Sequence, residues 1–464
     1  MKKIYPLNPN CHIDITNGDS IKSDALLELL NCNSFKKLAI TNNEYILVQL
    51  VNGCIIQQIS DFVLKDAVVQ YLKGRNQNQT ANLFINRNYF NKNLITSLET
   101  VEYKLHTGDK NTAYLYYKNG VLKITKENTE IIPYNQFNNY LWNEQVIDRE
   151  ILSTLSSNFD NFCFNKFLWN VANQKPERYF SLVSIIGYLL HNFKDRKNTK
   201  AIIISDENID IIGDSANGGP GKSLFALAIC KMTSVCKKEG KNIETGNRFF
   251  FQEIEHHNSI LYFDDVNQDF YFECLYSVIT GDITVEKKYK TPITIPFEQA
   301  PKILISSNYI VGGRHGFTDE RRRYDFEFSS YYNKDRSPAS EFGYTFFDEW
   351  DNQNWHMFDS FMIYCIQFYL THGLFETTKI RLDENKIIQS THPTFFEFAK
   401  SNLIKDQIYN KKTLYNSYLN ENKDEIGTIS QNTFKKWLDA YVIHYKKWEM
   451  DHYKSNGNYM IKIF

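Results

Sequence analysis

The stretch Gly218-Gly219-Pro220-Gly221-Lys222-Ser223-Leu224-Phe225 constrains this chain more than any other. Glycines there leave backbone N–H groups free to converge on phosphate oxygens. Lys222 would reach β- and γ-phosphates, and the Ser223 hydroxyl would hold Mg²⁺. The apolar run Leu224–Ile229 predicts a helix whose positive N-terminus faces the phosphates. The usual pattern wants glycine at position 216, where Ala216 stands. Gly213 therefore begins a longer loop, and Gly218-Gly219 restore its flexibility. Either Ala201–Ile204 or Ile209–Ile212 can be the strand that feeds it. Gly-Lys-Ser alone is common; its weight here comes from two polar-ended strands downstream.

About forty residues later, Ser259-Ile260-Leu261-Tyr262-Phe263-Asp264-Asp265 reads as an apolar strand ending in two carboxylates. One would tie down Mg²⁺ with Ser223; the other would orient or deprotonate an attacking water. A third strand, Lys302-Ile303-Leu304-Ile305-Ser306-Ser307-Asn308, ends in an amide suited to the γ-phosphate and the lytic water. Arg321-Arg322-Arg323 then precedes an F-x-F strand. Arg322 first and Arg321 second are candidate arginine fingers, each completing a neighbour's site in a head-to-tail ring; the alternative is a solvated patch. Between these motifs, Thr280–Ile295 reads as a hairpin with a basic, aromatic tip. Lys287, Lys288 and Lys290 could neutralise a single strand's phosphates while Tyr289 stacks on a base, or the tip is merely solvated.

The 464 residues suffice for about three domains. Residues 1–150 read as an α+β accessory domain. Asn52-Gly53 and Asn119-Gly120 each join two apolar runs as hairpins, and Asp61–Leu72 reads as a helix between them. No paired carboxylates of a nucleotidyl-transfer site occur there, and His12-Ile13-Asp14 reads as a strand edge. Residues 151–195 form a helical collar, 196–380 carry the chemistry, and Trp355–Tyr369 reads as one long helix. Asp348, Glu349 and Asp351 read as a solvated face. Residues 385–464 resemble a winged helix. Ser430 caps a helix carrying Lys435 and Lys436 on its outer face, and Asn456-Gly457 turns the wing. This unit either docks in a major groove or braces the ring.

With 53 basic and 54 acidic side chains the net charge is −1, so a nucleic-acid partner needs local basic patches. Eight cysteines are scattered singly, which predicts reduced thiols, no structural zinc and a cytoplasmic location. No secretory leader is legible at the N-terminus, and Leu182–Leu190 is too short to span a bilayer. No membrane partner is expected.

Gly-Gly-x-Gly-Lys-Ser-Leu-Phe, the Phe-Asp-Asp-Val strand, Val-Glu-Lys-Lys-Tyr-Lys, Pro-Lys-Ile-Leu-Ile-Ser-Ser-Asn and Arg-Arg before F-x-F lie within about 130 residues. Together they resemble the superfamily 3 helicases, in particular the primase-helicase-like proteins of phages and mobile elements related to the poxvirus-type primase-helicase. The resemblance is best over residues 150–375. It implies an α/β fold: an AAA+ P-loop core with a central parallel sheet, preceded by the α+β domain and collar and followed by the winged helix. It implies an ATP- and Mg²⁺-dependent ring, a hexamer, moving 3′ to 5′ on single-stranded or forked DNA in replication, with a primase or polymerase as a further partner. Gly218, Gly219, Gly221, Lys222, Ser223 and Leu224 match the nucleotide loop, and Asp264 and Asp265 the acidic pair. Asn308 matches the sensor, Arg321 and Arg322 the finger, and Lys288 the DNA hairpin. The rival expectation is a nucleotide-gated DNA-binding initiator that unwinds nothing.

Overall fold

The computed structural model describes residues 7–8, 11–17, 20–41, 44–87, 89–90, 92–101, 106–208, 221–241, 243, 246–288, 291–313, 317–425 and 427–464. The possible strand Ile209–Ile212, and Gly213, Ala216, Gly218, Gly219, Tyr289 and Lys290, lie outside them.

The N-terminal hairpins form where turn chemistry puts them. β1 (Phe35–Thr41), β2 (Glu44–Val51) and β3 (Ile55–Gln58) pair antiparallel. Asn52 and Gly53 both take positive φ, 52° and 78°, as the central pair of a turn closed by the Cys54 N–H donating to the Val51 carbonyl. Helix α1 (Asp61–Gly74) follows, capped by Ser60. β4 (Ala113–Tyr117) and β5 (Gly120–Ile124) form the second hairpin. Cys11 and Cys32 form a disulfide, which corrects the expectation of reduced thiols throughout. Folding brings their Cα atoms to 6.8 Å, a proximity that a sequence separation of 21 conceals.

Two helices come next, α2 (Cys163–Val171) and α3 (Pro176–Leu190), the latter with proline in its first turn, where a missing N–H costs nothing. Then come β6 (Ala201–Asp206), α4 (Lys222–Cys230), β7 (Val235–Glu239) and β8 (Ile260–Val266). The short hairpin β9 (Ile283–Val285) and β10 (Ile293–Ile295) precedes β11 (Lys302–Ser307) and β12 (Arg323–Phe328). β7-β8-β11-β6-β12, in that spatial order, make one all-parallel sheet.

A parallel sheet buries both faces, which is why these strands read as unbroken apolar runs. Ile202, Ile204, Ile260, Tyr262 and Leu304 face one core, shared with α2, α3 and the long helix α5 (Asn352–His372). Their neighbours Ile203, Leu261, Phe263, Ile303 and Ile305 face a second core with Phe250, Phe272 and Ile295. The first core also takes in Ala113, Leu115, Tyr117 and Leu122, so residue 150 falls inside a packed unit. Buried Asp359 of α5 fastens that junction: it accepts from Tyr117 Oη at 3.0 Å and from Arg149 Nε at 2.8 Å. Asp351, from the expected solvated acidic cluster, caps α5 by accepting from the Asn354 N–H.

The C-terminal region has its own core, centred on Phe395, Tyr418, Phe434 and Tyr441. It comprises α6 (Leu382–Ser390), α7 (Pro393–Asn402), β13 (Ile408–Asn410), α8 (Lys411–Glu421), α9 (Gln431–Asp439), β14 (Met450–Ser455) and β15 (Asn458–Ile463). Its antiparallel sheet runs β13-β15-β14. α6 joins it to the parallel sheet, with Lys386 3.3 Å from Asp325 on β12. Among the described residues, no helix is long and apolar enough to cross a membrane.

Gly187 sits where α3 meets α5. A Cβ there would press into the Cys365 carbonyl and the Tyr369 side chain, both rigidly placed. Gly187→Ala should therefore force the helices apart and destabilise the fold by about 1–3 kcal/mol, read as a lowered midpoint in urea. A second expectation concerns acid. Burial alone would raise the Asp325 carboxyl, but Arg323 and Lys386 outweigh it and bring it down to about 2, from 3.8. Because the folded value lies below the unfolded one, this stabilisation is complete above about pH 4 and is lost as the pH falls toward 2. Asp325→Asn should cost about 2 kcal/mol at pH 7 and flatten that acid limb in urea titrations.

Candidate nucleotide site

The sheet's carboxyl-terminal edge gathers the expected residues. β6 lies between β11 and β12, and the chain leaves β6 toward α4 at a point where the connections diverge to either side. Open parallel sheets bind ligands in the crevice at such a point. Gly221 opens α4 pressed against Phe328, where a Cβ would meet the ring at 3.1 Å. Lys222, 7% exposed, turns back over the sheet. Its Nζ pairs with the Asp206 carboxylate at the end of β6 and donates to Asn308 Oδ1 at 2.7 Å. Asn308 Nδ2 in turn donates to Asp265 Oδ1 at 2.7 Å. Three chain segments far apart in sequence are thus joined by one run of hydrogen bonds.

The acidic pair is set by a bulge. The pairing of β8 with β11 shifts register between Phe263 and Val266, lifting Asp264 and Asp265 out of that ladder, while Asp264 still pairs with Glu239 on β7. Asp265 takes a left-handed φ of 56°, which costs a non-glycine residue about 1 kcal/mol or more. Its N–H donates to Ser306 Oγ at 3.0 Å, which holds that conformation. Asp264 Oδ1 accepts from Tyr262 Oη at 2.6 Å and from Ser306 Oγ at 3.1 Å, while Lys237 Nζ lies 2.6 Å from Oδ2. Burial would raise the Asp264 carboxyl; bonds from Lys237 and Tyr262 overcome it and hold the group below its ordinary value. Asp264 is therefore an anion at neutral pH.

Ser223 is exposed on the first turn of α4, and Leu224 packs partly into the core below it. An ionised carboxylate and a hydroxyl are hard oxygen donors of the kind Mg²⁺ takes alongside phosphate oxygens. The buried Lys222 ammonium at a helix N-terminus suits a polyphosphate. The donor set thus fits a magnesium nucleotide.

Arg321 and Arg322 do not join this cluster. Ala201 pairs with Arg323, so both arginines lie at the amino-terminal edge of the sheet, about 20 Å from Lys222 by strand length. Arg322 stacks its guanidinium 4.9 Å over Tyr276, and Arg321 is exposed. Arg323 is buried and structural, ion-paired to Asp319 and Asp325. At the β9–β10 hairpin, Lys287 is engaged by Glu255, whereas Lys288 is exposed beside Phe249. Lys435 and Lys436 are exposed on α9. Close by, Lys411 and Lys454 both approach the exposed ring of Tyr459, at 6.0 and 4.6 Å.

Sequence reasoning missed Asp206, Ser306, Tyr262 and Lys237. Asp206 ends the run Ala201-Ile202-Ile203-Ile204-Ser205, and asking what neutralises a buried Lys222 would have found it. Ser306 stood inside the third strand motif. No signal marked Lys237, which reaches Asp264 from the neighbouring strand.

Comparison with protein-family models finds no match, and no curated protein matches the chain. Among solved structures it is similar to the A-form apo structure of the NrS-1 C-terminal region. That similarity has a TM-score of 0.45 and 11% identity over 94% of this chain and 98% of the other. Another apo structure of the NrS-1 C-terminal region gives a TM-score of 0.43 and 13% identity over 97% and 99%. Resemblance at this level assigns no activity.

The Lys222–Asp206 pair makes a direct prediction. Asp206→Ala leaves a buried ammonium without its anion and should lower unliganded stability by about 3 kcal/mol. The double variant Asp206→Ala/Lys222→Met removes both charges and should recover most of that loss in the same urea titration.

Proposed function

We propose that this chain is an ATP-driven DNA helicase motor of the AAA+ type, serving replication of a phage or mobile element in the cytoplasm. The observation that carries the reading is the hydrogen-bonded run from Lys222 through Asn308 to Asp265. It draws together the three groups that a triphosphate-hydrolysing site needs: a phosphate-binding cation, a water-orienting amide and a base. In this reading Lys222 exchanges Asp206 for the β- and γ-phosphates of ATP, with Gly218, Gly219 and Gly221 supplying backbone N–H groups. Ser223 and Asp264 hold Mg²⁺, which neutralises charge on the phosphates when bound. Asp265 takes the proton of the attacking water, and Asn308 orients that water.

Arg322, with Arg321 second, completes the site of the next subunit. Their position at the opposite edge of the sheet is too far for a role in their own chain's site and favours a head-to-tail ring, a hexamer by resemblance. Lys288 at the hairpin contacts single-stranded DNA, with Tyr289 and Lys290, and movement is 3′ to 5′. Lys287 would have to leave Glu255 to take part. Residues 1–150 serve as an accessory domain, 151–195 as the collar, 196–380 as the motor and 385–464 as a winged helix. The last assignment is supported by α7, α8, α9 and the β13-β15-β14 sheet around a separate core, with Lys435 and Lys436 directed outward for a DNA groove.

Lys222→Ala should abolish ATP hydrolysis; turnover retained near the native rate would remove the motor reading. Arg322→Ala should bind ATP but hydrolyse it about 10³-fold more slowly or worse. Mixing it with Asp265→Asn chains should partly restore hydrolysis, because some interfaces then have both groups. The exposed lysines of the C-terminal unit also suit a nucleotide-gated initiator that binds DNA without unwinding it. Strand displacement from 3′- and 5′-tailed duplexes separates the two readings.

A further inference from the structure

At the amino-terminal edge of the parallel sheet, the end of α3, the β4 strand and the starts of β8 and β11 line a partly open cavity of about 60 Å³. A single water takes about 10–15 Å³ on the same measure, so the space suits a few waters or one tetrahedral ion. It lies a full strand length, about 20 Å, from Lys222.

Its lining holds two lysines, three histidines and one carboxylate, Glu298, and several of these side-chain atoms are short of partners. Lys302 is 4% exposed and donates to the Tyr188 and His191 carbonyls, capping the C-terminal end of α3. Protonated, as beside an anion, the amine carries three donors, so one remains for that anion. Lys194 is 6% exposed, and its Nζ has no hydrogen-bond partner, lying 4.4 Å over the Phe297 ring. Glu298, the carboxylate beside Lys194, is well exposed and paired with Arg196 at 3.1 Å. His191 Nε2–H donates to the Asp109 and Thr112 carbonyls, fixing its tautomer and leaving Nδ1 unpartnered. His256, also in the lining, has an unpartnered Nε2.

Two buried amines on one small cavity are costly to keep charged when it holds no anion. Burial brings the Lys194 amine down to about 7, with Arg196 adding to the effect and Glu298 opposing it. Burial and then the Lys194 charge hold Lys302 well below the ordinary amine range. An anion between them reverses both penalties and accepts charge-assisted hydrogen bonds from each.

We propose that this cavity is a binding site for a small oxyanion of the phosphate class, held by the Lys194 and Lys302 amines with His256 as a further donor. The cavity's size favours free orthophosphate over a phosphate ester. The site joins the N-terminal sheet, the collar and the motor sheet, so its occupancy ties three parts of the chain together. It does not depend on the proposed motor activity.

The test is equilibrium dialysis of radiolabelled orthophosphate against the Lys222→Ala chain, which removes the proposed nucleotide loop as a competing site. One saturable equivalent per chain is expected. Lys194→Met should weaken it at least about tenfold, the worth of one hydrogen bond to a charged group. Thr233→Met, which fills the cavity from its wall without altering its charge, should do the same. If Lys194→Met does not fold, Thr233→Met decides the matter. AMP competes weakly if the free ion is the ligand and equally if a phosphate ester is accepted. No saturable binding, or binding that survives both substitutions, overturns the proposal.

Discussion

A sheet whose five strands all point the same way has no solvent face to spare, and the rest of the molecule answers that demand. One side is closed by α2, α3 and α5, the other by the segment from Phe250 to Ile295. α3 is consequently buried nearly all round and needs Gly187 to let α5 approach. Parallel strands also place all their carboxyl ends at one edge and all their amino ends at the other. The polar chemistry of the chain is divided accordingly. Lys222, Asp206, Asn308 and the acidic pair gather at one edge; Lys302, Lys194 and the arginines lie at the other.

Much of this was legible in the residues, for identifiable reasons. Asn52-Gly53 and Asn456-Gly457 mark hairpins because few pairs tolerate the positive φ that both residues take; at the second hairpin the loop is Lys118-Asn119, and Gly120 already pairs with Tyr117. The buried strands showed as apolar runs, and Lys222, Asp265 and Asn308 showed because each lies at the end of such a run or at the start of one. The α/β class followed from the same alternation of strands and helices. What stayed hidden depends on pairing between distant segments. The bulge that turns Asp265 outward is a property of β8 against β11, not of either alone. Asp206 acquires meaning only once Lys222 folds over β6. Cys11 and Cys32 meet through packing that spacing does not encode. Lys302 heads the third apolar strand, yet nothing near it in the chain announced that it would cap α3.

The residues around Asp264 and Asp265 show how local strain and long-range bonding sustain each other. Ser306 serves two partners at once, accepting from the Asp265 N–H and donating to the Asp264 carboxylate, and its oxygen lies 2.9 Å from the Tyr262 hydroxyl. A left-handed aspartate is held only where such bonds over-determine it. The preorganisation of the candidate site therefore resides as much in a serine hydroxyl one strand away as in the acids themselves.

The junction at Asp359 reaches beyond stability. Tyr117 and Arg149 come from one side of the seam read in the sequence at residue 150, and their acceptor comes from the other. A protease or a recombination event that severed the chain there would leave a buried carboxylate bereft of both donors. It would also bare the apolar wall that Leu115 and Leu122 cover. The amino-terminal segment is in that sense one wall of the same packed unit, and exchange of modules between such chains has to happen elsewhere.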